Sequence, residues 1–246
     1  MSEQCALITG GNRGLGAHLV RGFAKAGYEV VFTFLHNREE AHELVAEVRD
    51  HGGRARAMHM DVREREAIST TVAEIEEKVG GVAVLINNAG ISRDGMSWKL
   101  TSTAWQETLD TNLTGTFQVT QSVLPGMRQR GGGRILNIAS VVGQRGIAGT
   151  VAYAASKAAL GGFTRAVAKE VASKGITVND LVLGYFDAGM GTLLPDAARQ
   201  STLASIPAGV FGDPEKLARI AIFLCSDACD YITGQQIVVD GGFLSS

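Results

Sequence analysis

Tyr153 and Lys157 stand four residues apart in Tyr153-Ala-Ala-Ser-Lys157, so on a helix a phenol and an ammonium share one face, one turn from each other. A nearby cation favours the ionised form of an acid, so the lysine is expected to pull the phenol below its free pKa of ~10. A phenol tuned in this way gives or takes a proton near neutral pH, which carbonyl reduction and alcohol oxidation both require. Ser140 follows the apolar run Arg134-Ile-Leu-Asn-Ile-Ala139, where a buried strand is expected to end. Its hydroxyl there becomes a second donor for the substrate oxygen. A Tyr-x-x-x-Lys pair alone is equally what a surface helix carries. Its meaning depends on the elements that hold it.

Those elements alternate along the chain. Short apolar runs, rich in β-branched residues, occupy 5–9, 29–34, 56–60, 82–87, 134–139, 177–183 and 236–240. Their nearly all-apolar character predicts strands of a parallel sheet buried on both faces. Amphipathic stretches lie between them, among them 15–26, 38–50, 65–78, 103–129 and 153–174. The alternation predicts an α/β fold, a Rossmann-type doubly wound seven-stranded parallel sheet with helices on both faces and right-handed crossovers. No linker or low-complexity tract interrupts it, so residues 1–246 read as one domain. The least regular stretch, 184–212, is expected to supply a mobile lid at about 185–210.

The first strand runs into Thr9-Gly-Gly-Asn-Arg-Gly-Leu-Gly16 and then a helix. Glycines at 10, 14 and 16 let the backbone turn tightly and approach a pyrophosphate. The anion would rest on the helix N-terminus, where free N–H groups and the helix dipole favour it. A plain strand–helix turn is the rival reading of this G-x-x-x-G-x-G spacing. Its place directly after the first strand favours a dinucleotide loop made by Gly10, Asn12, Arg13, Gly14, Leu15 and Gly16. An NAD site needs an acid at the end of the second strand for the ribose 2′-hydroxyl. The chain has Thr33-Phe-Leu-His-Asn-Arg38 there, and Glu39 and Glu40 read as first-turn acids of the next helix. Arg13, His36, Asn37 and Arg38 are therefore candidates to hold a 2′-phosphate, and NADP(H) is the expected cofactor. Arg38 also fits a solvated helix-start residue.

Asp61-Val62 closes the third strand, where the carboxylate suits either the adenine amino group or a helix N-cap. Asn87-Asn88-Ala89-Gly90 ends the fourth, with amides able to bridge strands and small residues that let a cofactor approach. Asn112 lies in an apolar helical stretch, and a buried amide there needs a partner. By itself it reads as a structural hydrogen bonder as readily as a catalytic residue.

Composition narrows the function classes. The 246 residues are 45% apolar and 20% charged, with a formal charge of −2. That near-balance lacks the basic face a nucleic-acid partner needs. The first residues, Met-Ser-Glu-Gln-Cys, lack the regions of a signal peptide, and no apolar run approaches the roughly 18 residues of a membrane helix. A soluble cytoplasmic protein is expected. Cys5, Cys225 and Cys229 are too few for a disulfide framework and read as reduced core residues, with no metal site expected. The histidines, at 18, 36, 42, 51 and 59, show no triad or metal spacing, and Ser140 lacks the G-x-S-x-G elbow of a hydrolase.

Taken together, Thr9-Gly10-x-x-x-Gly14-x-Gly16, Asn87-Asn88-Ala89-Gly90, Asn112, Ser140, Tyr153-x-x-x-Lys157 and Ile237-Val-Val-Asp-Gly-Gly242 resemble the classical short-chain dehydrogenase/reductase family over nearly the whole chain. Within it the chain looks most like the β-ketoacyl-acyl carrier protein reductases, through Ile91-Ser-Arg-Asp-Gly, the 170–179 stretch and the 223–234 stretch. The resemblance implies that Tyr153 is the general acid and that Lys157 holds the nicotinamide ribose. It makes Ser140 the residue that orients the carbonyl, and has Asn112 position a water that relays protons. It also implies a homotetramer, paired through the helices at 103–129 and 153–174 and through the last strand with 241–246. The substrate would be a 3-oxoacyl thioester, carried on CoA or on acyl carrier protein. Arg128, Arg130, Lys169 and Lys174 are candidates to meet an acidic carrier. Alternatives are another ketone or alcohol, or a cofactor-binding subunit with little turnover.

One stretch departs from the family pattern. Leu183 replaces the usual proline before Gly184, Ala188 replaces a threonine that meets the nicotinamide carboxamide, and Asp180 puts a charge in an apolar strand. One lost hydroxyl contact costs about 0.5–1.5 kcal/mol. Weaker or reshaped nicotinamide binding is expected, with the backbone of Phe186 still on offer.

Overall fold

The apolar runs become strands because both of their faces are covered. In the computed structural model, which describes residues 4–189 and 195–245, they are β1 (Cys5–Ile8), β2 (Glu29–Phe34), β3 (Arg54–His59), β4 (Val82–Asn87), β5 (Gly133–Ser140), β6 (Ile176–Leu183) and β7 (Gln236–Val239). The sheet is parallel throughout, in the order β3-β2-β1-β4-β5-β6-β7. The helices are α1 (Gly14–Lys25), α2 (Arg38–Asp50), α3 (Arg65–Val79), α4 (Ser102–Leu109), α5 (Gly115–Arg130), α6 (Val142–Arg145), α7 (Val151–Val171), α8 (Asp196–Ala204) and α9 (Pro214–Leu224).

Alternate strand residues serve opposite layers. Ala6 and Ile8 of β1 pack with Leu19, Leu44 and Leu217 of α1, α2 and α9. Cys5 and Leu7 pack with Ile75, Val123 and Val171 of α3, α5 and α7. A third, smaller cluster joins Ala139, Val141 and Val182 to Ile206 and Phe243, beyond the carboxyl ends of β5 and β6. The chain leaves β1 toward β2 on one side, and β4 toward β5 on the other. The crevice outside the carboxyl ends of β1 and β4 is therefore the topological switch point, where ligands of such sheets bind.

Most boundaries move by one to three residues, and three differences have a physical reason. β3 lies at 54–59, not 56–60, because this edge strand extends Arg54 and Arg56 to Glu29 on β2, at 3.5 and 2.7 Å. The expected helix over 103–129 is interrupted by a π-helical turn at Asp110–Thr114, and the inserted residue turns Asn112 into the interior. The expected irregular stretch contains α8, which opens with Asp196 after Pro195, an ordinary helix start. Residues 190–194 of the expected lid lie outside the described residues. No helix among the described residues is long and apolar enough to cross a membrane.

Candidate active site

The glycine loop is shaped by close backbone approach. Gly10 and Gly14 sit at φ +63° and +54°, where a side chain is strained. A Cβ on Gly16 would run into the Gly10 carbonyl and come within 2.8 Å of Asn88 Nδ2. Arg13 precedes α1 with extended backbone and no side-chain cap, so the first-turn N–H groups face outward as an anion cradle. The fourth strand clamps this loop: Asn88 Nδ2 donates to the carbonyls of Thr9 and Gly10, each at 2.9 Å. The Thr9 hydroxyl accepts from the N–H groups of Asn88 and Ala89, each at 3.0 Å. The loop held in this way, with the uncapped first turn of α1, fits a dinucleotide pyrophosphate.

The predicted catalytic residues converge at the carboxyl end of β5. Ser140 is the last residue of β5; its hydroxyl accepts from the Val142 N–H at 3.2 Å and acts on the phenol of half-buried Tyr153, near the start of α7, to favour phenolate. Lys157, one turn on, is buried at 5% exposure and donates to the Ile138 carbonyl at 2.6 Å. Its Nζ stands 5.7 Å from the Tyr153 ring centroid. Gly90 adjoins both Asn112 and Lys157, since a Cβ there would lie 3.3 Å from Asn112 Oδ1 and 3.6 Å from Lys157 Nζ.

Asn112 spends its amide on structure. Its Oδ1 accepts from the Ile91 N–H at 2.8 Å, and its Nδ2 donates to the Ile91 carbonyl at 2.8 Å and to Ser156 Oγ at 3.0 Å. It therefore ties the loop after β4 to α7, immediately beside the ammonium.

The expected acidification of Tyr153 does not hold. Burial pushes its pKa up to about 12, outweighing the Ser140 hydrogen bond that favours phenolate. Lys157 is too far away and too occupied with Ile138 to reverse this. Burial lowers Lys157 to about 8, opposed only by the charge of Asp180. The site thus holds a neutral phenol as a proton donor, fixed by a serine, beside a desolvated ammonium.

The far end of the crevice carries the other predicted residues. Asn12 Nδ2 donates to the His36 carbonyl at 3.1 Å, joining the glycine loop to the end of β2. Asn37 takes the left-handed conformation at φ 60° and donates to Glu40 at 3.0 Å. His36, Asn37 and Arg38 line a cleft of about 480 Å³ with Phe34, Leu35, His42, Ala57 and His59. No carboxylate stands at the end of β2 itself. Asp61 neither caps a helix nor stands free. Arg63 returns its backbone N–H at 2.9 Å and its guanidinium to the carboxylate, which holds Asp61 below the usual range. Val62 beside it is buried.

Past β6, Gly184 is required where the chain crosses β7, because a Cβ would meet Asp240 Cα at 2.7 Å. Phe186 is buried, with its ring against Gly212. Ala188 and Gly189 follow at the edge of the glycine loop, where a Cβ on Gly14 would meet Gly189 Cα at 2.9 Å. Leu15 opens α1 beneath them, partly buried against the core. Of the four cations proposed to meet a carrier, Arg130 is committed to Glu76 and to the Val82 carbonyl, while Arg128, Lys169 and Lys174 are exposed. The three cysteines are buried and free.

Sequence reasoning missed several residues that hold the site together. Thr9 and Ser156 act through hydrogen bonds across 79 and 44 residues, distances that no local pattern encodes. Asn137 and Thr164 continue a buried polar chain that starts from Asn87 at the end of β4. Only the amide in each otherwise apolar strand hinted at it.

With this geometry in place, comparison with known proteins is informative. The family model for short chain dehydrogenases matches residues 4–198. The chain is 42% identical to the acetoacetyl-CoA reductase of Shinella zoogloeoides over 241 residues, covering 98% of each chain. It is 39% identical to the 3-oxoacyl-[acyl-carrier-protein] reductase FabG of Vibrio cholerae serotype O1, again over 98% of each. A crystal structure of a single-substitution variant of actinorhodin polyketide ketoreductase with NADPH superposes with a TM-score of 0.92 at 33% identity, covering 98% of this chain and 97% of that one. The chain belongs to the short-chain dehydrogenase family.

Proposed function

We propose that this protein is an NADPH-dependent reductase that converts a 3-oxoacyl thioester, on CoA or acyl carrier protein, to the 3-hydroxyacyl thioester in fatty-acid or polyketide assembly. The observation that carries it is the convergence of Ser140 at the end of β5 with Tyr153 and buried Lys157 on one face of α7, at the carboxyl edge of the sheet. Two fixed donors there meet one developing oxyanion. Relatives named for acetoacetyl-CoA and 3-oxoacyl carrier-protein reduction support the substrate class, and the NADPH-bound ketoreductase supports the cofactor.

The chain's own residues divide the work. The glycine loop and first turn of α1 hold the pyrophosphate, and Arg13, His36, Asn37 and Arg38 hold the 2′-phosphate. Bound NADPH supplies the hydride. Ser140 orients the carbonyl, Tyr153 gives its proton to the oxygen as negative charge develops, and Lys157 holds the ribose hydroxyls. Asn112 fixes the loop beside the lysine, where a water could return the proton. A phenol kept neutral by burial suits the reductive direction, because the alkoxide it meets is far more basic.

The described residues on either side of 190–194, namely 185–189 and 195–210, would flank the substrate, supported by the edge-to-face contacts of Tyr185 with Phe211 and Phe243. A homotetramer fits the exposed Trp105 and Phe117 on α4 and α5, the exposed Phe223 on α9, and the exposed Val238 on the edge strand β7. Purified protein should oxidise NADPH in the presence of acetoacetyl-CoA and yield the 3-hydroxyacyl product. Tight dinucleotide binding with no turnover on any 3-oxoacyl thioester would favour a cofactor-binding subunit instead.

A further inference from the structure

Asp180 is a carboxylate with no exposed surface in the middle of β6, between β5 and β7. No lysine or arginine among the described residues forms an ion pair with it. Its contacts are neutral donors: Asn137 Nδ2 at 3.3 Å, Gln236 Nε2 at 3.2 Å, and the Thr164 hydroxyl. Thr164 Oγ1 accepts from Asn137 Nδ2 at 2.8 Å, so its own hydrogen is left to point at Asp180. Asn137 Oδ1 is in turn filled by Asn87. Burial raises the pKa of the Asp180 carboxyl, and the three donors around it, with the charge of Lys157, act against burial by favouring the anion.

The cation it faces is on α7. Lys157, Gly161 and Thr164 share one face of that helix. Gly161 carries no side chain, and the Gln236 amide fills the place its Cβ would take, with Nε2 2.7 Å from that position. On β5, Asn137 faces Asp180 while the next residue, Ile138, receives the lysine. Other charges point elsewhere. Arg134 of β5 is taken by Gly175 and Asp227, Asp240 after β7 is held by the N–H groups of Gly242 and Leu244, and Arg165 and Lys169 lie on the exposed side of α7.

We propose that Asp180 is a positioning residue for the reaction, a fixed buried anion behind Lys157 that keeps the lysine charged and seated against Ile138. Asp180 is also the one charge that opposes the effect of burial on Lys157. The purpose of that charge rests on the reductase reading, whereas the charge itself is measurable without substrate.

The test follows Lys157 by NMR in lysine-labelled protein, its signal assigned by its loss in Lys157→Met. In Asp180→Asn and Asp180→Ala, the Lys157 titration midpoint should fall by about half a unit or more. The alkaline limb of kcat/KM for NADPH-dependent reduction should move to lower pH by the same amount. A full unit costs about ten-fold in protonated lysine above the midpoint. A merely structural role would lower activity at every pH and leave both midpoints in place. Unchanged or raised midpoints in a folded variant overturn the proposal. Should neither variant fold, the wild-type Asp180 carboxyl signal decides: ionised at about pH 7 supports the proposal, protonated overturns it. A shifted midpoint in a protein that reduces no thioester would keep the proposal and remove the reductase reading.

Discussion

Lys157 donates its ammonium to the Ile138 carbonyl at 2.6 Å and stands 5.7 Å from the centroid of the Tyr153 ring. Acid and cation share a helix face without touching, so burial sets the proton affinity of the phenol and the lysine does not. The two groups are pushed apart, tyrosine to about 12 and lysine to about 8. Separated values of this kind assign roles: the phenol holds a proton to give, and the ammonium supplies a fixed charge.

The buried ammonium should cost the fold stability. Below about pH 8 folded and unfolded chains both carry the lysine proton, and the folded state bears the whole desolvation penalty. Between about 8 and the ordinary 10.5 the folded state sheds its proton first, and the penalty fades as pH rises. A drop of this size corresponds to about 3 kcal/mol. Leaving the Ile138 carbonyl unpaired takes back about 1–2 kcal/mol. Lys157→Met is therefore expected to be inactive yet more stable at about pH 7 by about 1–2 kcal/mol, each worth about 2–4 °C in melting temperature. The gain should vanish toward pH 10. Thermal unfolding at both pH values checks this, and a lower melting temperature at neutral pH contradicts it.

Cofactor choice should lie in the cations at the end of β2. Arg38 Nε is 3.4 Å from His42 Nε2 at the rim of the 480 Å³ cleft. A charge-assisted bond to a 2′-phosphate is worth about 1.5–3 kcal/mol. Arg38→Ala should raise the NADPH Kd by about 10- to 100-fold and leave the NADH Kd within about two-fold. Fluorescence titration with both dinucleotides tests it. Equal losses for the two would place Arg38 outside the phosphate site.

The sheet was legible in the sequence because parallel strands buried on both faces leave apolar runs, as in 82–87 and 134–139. The glycine loop was legible too, since Gly10, Gly14 and Gly16 sit where no side chain fits. The orientation of Lys157 was not, because helical spacing puts residues on one face but does not say which carbonyl captures a long side chain. Nor was the π-helical turn around Asn112, whose amide pairs with Ile91 across 21 residues. Arg63 closing on Asp61 escaped notice because it happens in the turn after β3, outside any helix or strand whose periodicity could signal it.

Ala188 offers a gain-of-function check. It is nearly buried beside the glycine loop, where the family pattern carries a threonine. Ala188→Thr should restore one hydroxyl contact to the nicotinamide carboxamide, worth about 0.5–1.5 kcal/mol. The NADPH Kd should fall by about two- to ten-fold, with the 2′-phosphate preference unchanged. Weaker binding of both dinucleotides would show that the chain past Gly184 follows a different path against the cofactor.

The central claim is that the Tyr153 hydroxyl protonates the substrate oxygen. The most direct measurement is single-turnover NADPH oxidation by Tyr153→Phe on acetoacetyl-CoA, alongside its NADPH Kd. Phenylalanine keeps the ring in place and removes only the proton. The Kd should stay within about two-fold while the rate falls by at least about 10²-fold, in the range expected for loss of a positioned general acid. A variant that binds NADPH normally and reduces the thioester at the wild-type rate would contradict the account.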